Sequence, residues 1–287
     1  MSRARALSII SRVLNLSADY AEVEELLRLF LEGVRDALGR QFVGAYIFGS
    51  LACGGFDLDS DVDLLVVTED EVSPETFSDL RDFHERVAAL ESRWATRLEV
   101  SYIPRRALRR RDPSDATHPH IDRGEGERLR VRRHDSDWVV QRHTIRERGV
   151  TLAGPKPETL IDPVTPEDLR QAMLDLLWWP ARILEEPERI SARGYQSYIV
   201  LTLCRVLYTL EHGEVVSKRA AADWASRALG GRWPALIERA WEGRAKPRRK
   251  ASREDVNATL DLIRHTLERA RSLAPGALDL KSPRGVE

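Results

Sequence analysis

The sequence predicts an α+β protein, in which an N-terminal domain with a mixed β-sheet and flanking helices is followed by an all-α helical bundle. In the first half of the chain, short β-branched and aromatic runs alternate with amphipathic helical patterns. Beyond residue 160 only helical patterns remain. Because 287 residues suffice for two ordinary domains, we expect one domain at 1–155 and a second at 156–287.

The first domain is predicted element by element. Apolar residues recur at three- and four-residue steps over 21–38, which predicts an amphipathic helix ended by Gly39. The runs 42–48 and 62–67 predict short buried strands, the first stopping at a tight turn. A helix is expected from Pro74 to about residue 92, since proline suits a first turn.

A third strand is predicted by the alternation of Leu98, Val100 and Tyr102 with polar or smaller neighbours. The stretch 105–133 has little periodicity and is expected to be irregular. The histidines in and near it are expected to be polar loop residues unless they face the cleft, namely His118, His120, His134 and His143.

The second domain is predicted from helix caps and apolar stripes. Thr165-Pro166 begins one helix, and a stripe from Ile199 to Leu210 predicts another, ended by Gly213. Ser217 and Ser252 are expected to cap two more helices. The tail from Pro275 is expected to be loosely held.

Composition excludes several classes of protein. The 45 Lys and Arg residues balance 46 Asp and Glu residues, so nucleic acid is not the expected partner. Two cysteines, Cys53 and Cys204, cannot form a disulfide framework or a thiolate zinc site. Neither a membrane-spanning run nor a leader-like segment over 1–16 is seen, so we expect a cytoplasmic protein. We also expect it to be a monomer.

The most informative segment is Gly49-Ser50 followed, after nine residues, by Ser60-Asp61-Val62-Asp63. Side chains alternate along a strand, so Asp61 and Asp63 are predicted on one face. Two adjacent carboxylates require neutralising cations, and Mg²⁺ with its oxygen ligands fits them. Gly49 and the Ser50 hydroxyl suit close approach to a phosphate.

Glu99 becomes a third member of this group if its strand lies beside Asp63 and presents the same face. It would then accept a proton from an attacking hydroxyl or bind a metal. Taken singly, a Gly-Ser dipeptide is most often a turn, an Asp-x-Asp a solvated edge, and a lone glutamate a surface residue. Together, these residues predict a metal–nucleotide site of phosphoryl-transfer type.

The segment 48–67 resembles the active-site signature of the DNA polymerase beta-like nucleotidyltransferases. The whole chain resembles the aminoglycoside 3''/9-adenylyltransferases, the streptomycin and spectinomycin resistance enzymes. The second resemblance rests on four segments, Leu98-Glu99-Val100, Leu152-Ala153-Gly154, Val200-Leu201-Thr202-Leu203-Cys204-Arg205 and the stretch from Lys218 through Ala221-Ala222-Asp223-Trp224-Ala225.

This resemblance implies transfer of AMP from ATP to a hydroxyl of a small acceptor, an aminoglycoside or aminocyclitol antibiotic, in a cleft that the helical domain completes. It implies two Mg²⁺ ions and assigns roles by position. Ser50 and Ser60 would hold phosphates and Asp61 and Asp63 the metal, and Glu99 would be the base and a further ligand. Asp137 would lie near the nucleotide, and Lys218 would reach the phosphates.

The chain departs from the family where the antibiotic binds. A family tryptophan after Gly-Glu is replaced in Gly124-Glu125-Gly126, and the family's acidic residues are missing from 193–198. Trp178 and Trp179 would either line an acceptor pocket or pack in the core. Two other functions remain open: AMPylation of a protein partner, as in toxin–antitoxin systems, and nucleotide or RNA binding without catalysis.

Overall fold

The structure is a computed structural model that describes residues 21–274. Two compact units divide the chain between Pro163 and Val164. The predicted boundary lies slightly earlier, because Leu160 and Ile161 are buried in the core of the first unit and keep the preceding segment with it. The segments 1–16 and 275–287, on which a leader and a loose tail were considered, lie outside the described residues.

The described part of the first unit contains a mixed sheet with the strand order β5-β4-β3-β2-β1-β6. Strands β2 and β3 are parallel, and every other neighbouring pair is antiparallel. The strands are β1 (Phe42–Ile47), β2 (Val62–Thr68), β3 (Leu98–Pro104), β4 (Thr117–Ile121), β5 (Arg130–Arg133) and β6 (Val150–Ala153).

Helices cover both faces of this sheet. They are α1 (Ala21–Leu38), α2 (Gly49–Ala52), α3 (Pro74–Ala88), α4 (Arg105–Arg109), α5 (Asp137–Arg148) and α6 (Pro157–Leu160). Helices α1 and α3 bury their apolar stripes against one face, and α4, α5 and α6 contribute to the core on the other. The predicted mixed sheet with flanking helices is confirmed.

Side chains alternate between the two faces of the sheet along β2, and this alternation decides which face carries Asp63. Val62, Leu64 and Val66 belong to the core under α1 and α3. Leu65 and Val67 belong to the opposite core. Asp63 shares their parity and therefore points to the face covered by α5.

The prediction of an irregular segment at 105–133 is wrong. This stretch contains helix α4 and strands β4 and β5, which extend the sheet beyond β3. Its polar residues and Pro119 carry a weak strand signal, and pairing with the edge of β3 overrides it. The patterns also missed α5 and β6.

The histidines are not polar loop residues, which corrects the second expectation for this region. His118 and His120 lie in β4, His134 directly follows β5, and all three are buried. His143 lies in helix α5. His118 and His120 lie on a strand of the sheet, and their side chains are buried within the first unit rather than exposed to solvent.

The second unit is helical throughout its described residues, as predicted. Its helices are α7 (Pro166–Leu176), α8 (Trp178–Ile183), α9 (Arg193–His212), α10 (Lys218–Leu229), α11 (Trp233–Gly243) and α12 (Arg253–Leu273). Thr165, Ser217 and Ser252 cap α7, α10 and α12, and Gly213 ends α9 with a φ of 68°.

Helix α9 is the core of the second unit and packs against α7, α10, α11 and α12. At its start, Arg193 donates to the buried carboxylate of Asp255 over 2.6 Å. Arg239 donates to the same carboxylate over 2.8 Å. Within residues 21–274, no helix is long and apolar enough to cross a membrane.

Candidate active site

The parallel pairing of β2 and β3 brings two carboxylates together. Asp63 and Glu99 are direct register partners, each the second residue of its strand. Register partners on neighbouring parallel strands point to the same face, with about 4.8 Å between the strands. The condition set for Glu99, an adjacent strand and a shared face, is therefore met.

The turn after β1 closes over Asp63. The Phe48 amide donates to the Asp63 carbonyl over 3.1 Å. The next residue, Gly49, has a φ of 65°, and a Cβ placed on it would lie 2.7 Å from Asp63 Cγ. Only glycine leaves room for the carboxylate, and the turn delivers Ser50 to the start of helix α2 beside it.

Asp61 lies immediately before β2 and forms an ion pair with Arg123. Arg123 comes from the loop between β4 and β5, and its side chain is largely exposed. The Asp61 side chain is only 15% exposed. A carboxylate buried to this degree requires a positive partner, and in this structure a guanidinium supplies it.

Glu99 is surrounded by further charged groups. One ligand atom from each of Glu99, His120 and Asp122 lies within 4.8 Å of the others. Burial raises the pKa of Glu99, and the negative charges of Asp122 and Asp137 add to this rise. His120 and Arg132 act in the opposite direction.

Asp137 lies close enough to Glu99 for its negative charge to raise the pKa of Glu99. It is the first residue of helix α5. Burial raises the pKa of its carboxyl group, while Arg132 opposes the rise. Two carboxyl groups with raised pKa values in one place form an environment that favours a bound cation.

Behind Glu99, polar side chains form a hydrogen-bonded chain. His120 contacts Asp122 Oδ1 through Nε2 over 3.2 Å and Ser101 Oγ through Nδ1 over 2.8 Å. Ser101 Oγ in turn lies 3.1 Å from His134 Nε2. The hydrogen bond from His120 lowers the pKa of Asp122 to about 2. This chain holds β3, β4 and the residue after β5 in register beside Glu99.

Sequence patterns had not pointed to Arg123, Asp122 or His120. In His118-Pro119-His120 the two histidines are two positions apart. A period of two is the period of a strand, and it places both imidazoles on one face of β4. Interpreting this spacing as a strand would therefore have pointed to His120.

Ser60 is buried in the loop that leads into β2. Its hydroxyl donates to Asp57 Oδ1 over 2.8 Å and accepts from the Asp57 amide over 3.0 Å. The structure thus uses this hydroxyl to fix the loop that carries Asp61. Its predicted contact with an ATP phosphate stays a prediction.

Two predicted features belong to the second unit. Lys218 is the first residue of helix α10 and is partly buried. Trp179 contacts the rings of Tyr195 and Tyr198, with centroid distances of 6.3 and 5.6 Å. The contact of Lys218 with phosphates and the lining of an acceptor pocket by tryptophan stay predictions.

Two families match this chain in succession. Residues 27–114 match the family described as "Nucleotidyltransferase domain". Residues 159–269 match "Aminoglycoside adenylyltransferase, C-terminal domain". The first match covers β1, β2, β3 and the site carboxylates Asp61, Asp63 and Glu99, and the second covers the helical unit.

Curated relatives include an aminoglycoside (3'') (9) adenylyltransferase of Klebsiella pneumoniae, 30% identical over 224 residues that cover 74% of this chain and 82% of the relative. A spectinomycin 9-adenylyltransferase of Staphylococcus aureus is 29% identical over 229 residues, with the same coverage of 74% and 82%.

Among solved structures, a spectinomycin adenyltransferase from Enterococcus faecialis, determined with ATP and spectinomycin, superposes with a TM-score of 0.65. It is 18% identical, and the match covers 85% of this chain and 98% of that one. At this sequence identity, the similarity shows that the two proteins share a fold.

Proposed function

Because this chain belongs to the aminoglycoside (3'') (9) adenylyltransferase family and is a nucleotidyltransferase, we propose that it transfers AMP from ATP to a hydroxyl of an aminocyclitol or aminoglycoside antibiotic. The observation that carries the proposal is the register pairing of Asp63 with Glu99, with Asp61 one residue before the strand. The named activities of the curated relatives support the same reaction.

The reaction forms one bond and breaks one. The acceptor hydroxyl oxygen attacks the α-phosphorus of ATP, and the bond from that phosphorus to the oxygen bridging to the β-phosphorus breaks. Pyrophosphate leaves with the electron pair. Glu99 is the proposed base that takes the hydroxyl proton, since it lies beside Asp63 in a buried setting that raises its affinity for protons.

The residues present fit Mg²⁺. Asp61, Asp63 and Glu99 offer carboxylate oxygens, the ligands that Mg²⁺ prefers. Arg123 pairs with Asp61, so Mg²⁺ would have to displace this guanidinium. Burial raises the pKa of Glu99, and a bound dication would favour its ionised form. We expect these three residues to hold two Mg²⁺ ions, which would stabilise negative charge on the transferring phosphoryl group and on pyrophosphate.

The remaining assignments concern ATP. Gly49 is proposed to let the backbone approach a phosphate, and Ser50, the next residue in the turn, is proposed to donate its hydroxyl to the same group. Ser60 orients the loop that carries Asp61 and is the second proposed phosphate contact. Asp137 and Lys218 are proposed to contact the nucleotide and its phosphates.

Spectinomycin is the first acceptor to test. Streptomycin carries guanidinium groups, which bind best to carboxylates in a bidentate fashion. The segment 193–198 contains an arginine and no carboxylate. Spectinomycin has no guanidinium group, and relatives are named for it.

The experiment is transfer of label from α-labelled ATP to a panel containing spectinomycin, streptomycin and other aminoglycosides. We expect labelled spectinomycin, release of unlabelled pyrophosphate and no transfer with Asp61→Asn. Label on protein instead of on any antibiotic would favour AMPylation of a partner. Binding of ATP without any transfer would leave a nucleotide-binding protein and refute the proposed reaction.

A further inference from the structure

A second group of metal-ligating side chains lies on the first unit, away from the end of β2 and β3 that carries Asp63 and Glu99. Glu71 follows the far end of β2, Asp115 precedes β4, and His118 is a residue of β4. One ligand atom from each of the three lies within 4.8 Å of the others. We propose that Glu71, Asp115 and His118 bind a divalent transition-metal cation, with Zn²⁺ as the best chemical fit.

The imidazole of His118 is prepared for ligation. Its Nε2 lies 3.1 Å from the carbonyl oxygen of Asp115. A carbonyl only accepts, so Nε2 carries the hydrogen and Nδ1 carries a lone pair. Metal-binding histidines are typically fixed in this way, with the second ring nitrogen donating to a carbonyl or carboxylate.

The second ring nitrogen of His118, Nδ1, makes no hydrogen bond and lies near a carboxylate. The residue is 2% exposed, and its Nδ1 is buried with no hydrogen-bond partner. Nδ1 lies 3.9 Å from Glu71 Oε2. An unsatisfied buried acceptor is unfavourable, and a metal ion at this position would satisfy it.

The two carboxylates already converge on a single positive atom. Arg106 Nη2 lies 2.6 Å from Glu71 Oε1 and 3.3 Å from Asp115 Oδ1. The Arg106 side chain is 53% exposed, and exposed ion pairs of this kind contribute little to stability. A dication can therefore displace the guanidinium and gain the imidazole as an additional ligand.

The donor set distinguishes this site from the one at Glu99. There, both ring nitrogens of His120 are engaged, with Ser101 and with Asp122. An imidazole together with two carboxylates suits Zn²⁺, whereas Mg²⁺ prefers oxygen ligands alone. Asp115 and His118 also line a small, partly open surface pocket, through which an ion can reach them.

The consequence of binding would be structural. Glu71 belongs to the connection between β2 and α3, whereas Asp115 and His118 belong to the start of β4. A shared ion would join these two segments at the far end of the sheet.

The test is calorimetric titration of the full chain with Zn²⁺ in excess Mg²⁺, which occupies carboxylate-only sites. Co²⁺ absorption under the same conditions reports whether the bound metal has a nitrogen ligand. Wild-type protein should bind one Zn²⁺. Glu71→Gln, at a half-exposed position, should weaken binding at least ~10-fold, the lower range for disturbing a metal's ligand sphere.

Glu69→Gln is the matched control, because Glu69 pairs with Arg105 as Glu71 pairs with Arg106. It should bind like wild type, and Arg106→Gln should bind at least as tightly. Absence of Zn²⁺ binding in excess Mg²⁺ would overturn the proposal. So would unchanged binding by Glu71→Gln, or a loss confined to His120→Asn, which would place the ion at Glu99.

Discussion

Gly49 lies against the carboxylate of Asp63, so that a Cβ on Gly49 would lie 2.7 Å from Asp63 Cγ. The backbone at Gly49 is also left-handed, with a φ of 65°. Two independent constraints, conformation and space, therefore require glycine at this position. The turn and the carboxylate have to be considered as one structural unit.

Gly49→Ala tests this unit against Gly54→Ala. Gly54 has a φ of 75° but no atom within 4 Å of an added Cβ. Both variants should lose about 1–2 kcal/mol of unfolding free energy from the left-handed backbone. Only Gly49→Ala should also lose most of its adenylyl transfer, because its methyl group displaces Asp63. Urea unfolding and kcat/KM measure the two effects, and equal activity in both variants would contradict this account.

Replacing the site carboxylates by amides should impair catalysis while the protein still folds. Glu99→Gln should lower kcat by about 10²- to 10⁴-fold, the usual contribution of a general base. Asp63→Asn should be at least as impaired, because it removes a proposed metal ligand. Asp59→Asn is the control, since Asp59 is exposed and only four residues from Asp63. The assay is steady-state transfer at saturating Mg²⁺, and an active Glu99→Gln protein would exclude Glu99 as the base.

Arg123 should compete with Mg²⁺ for Asp61. The Arg123 guanidinium pairs with Asp61, so a metal ion must displace it. We expect Arg123→Met to reach half-maximal activity at a lower Mg²⁺ concentration than wild type. Arg105→Met removes a guanidinium that pairs with the exposed Glu69 and should leave this concentration unchanged. A higher Mg²⁺ requirement in Arg123→Met would show that Arg123 assists the site instead.

Much of the site was predictable from sequence because its central residues follow strand periodicity. Asp61 and Asp63 are two positions apart, with only Val62 between them, at the start of a strongly apolar run, and that run is strand β2. Pairing with Glu99 depended on strand order, which no local pattern determines. The resemblance to known enzymes assigned Glu99 a role in the site, and the observed register places Glu99 opposite Asp63.

The region from β4 to α5 could not be predicted by the same means. Strand β5 is exposed along most of its length and contains three arginines in four residues, so it has no apolar alternation. It forms because β4 offers it a free edge, and β4 forms because β3 does. Arg123, Asp122 and His120 enter the site through this tertiary pairing, which the sequence pattern does not report.

A buried histidine should make the stability of the first unit depend on pH. His84 is 4% exposed and contacts the Tyr102 hydroxyl over 2.8 Å. Burial lowers its pKa from 6.5 to about 4. Between those values the unfolded chain binds a proton that the folded chain does not, so stability falls as the pH falls.

The expected slope from His84 is about 1.4 kcal/mol per pH unit between pH 6.5 and 4. His84→Gln keeps a hydrogen-bonding group for Tyr102 and should remove this contribution. Urea unfolding of both proteins over this range measures it. His265→Gln, at a partly buried position in the second unit, should retain the wild-type slope. Parallel pH profiles for wild type and His84→Gln would contradict the assignment.

The stability of the second unit should depend on the charge of Asp255. Its side chain is 3% exposed and pairs with Arg193 and Arg239. Burial alone would raise the pKa of Asp255, but the hydrogen bonds from these arginines outweigh it and lower the pKa. Removing the carboxylate leaves Arg193, itself only 15% exposed, without its negatively charged partner.

Asp255→Ala should therefore destabilise the second unit by about 3–5 kcal/mol, as expected when one member of a buried ion pair is removed. Asp261 pairs with Arg232 and Arg264 near the surface, and Asp261→Ala should cost under about 1 kcal/mol. Five of the seven tryptophans belong to this unit, so fluorescence during urea unfolding reports mainly its transition. Similar midpoints for the two variants would mean that the Asp255 network does not stabilise the helical unit.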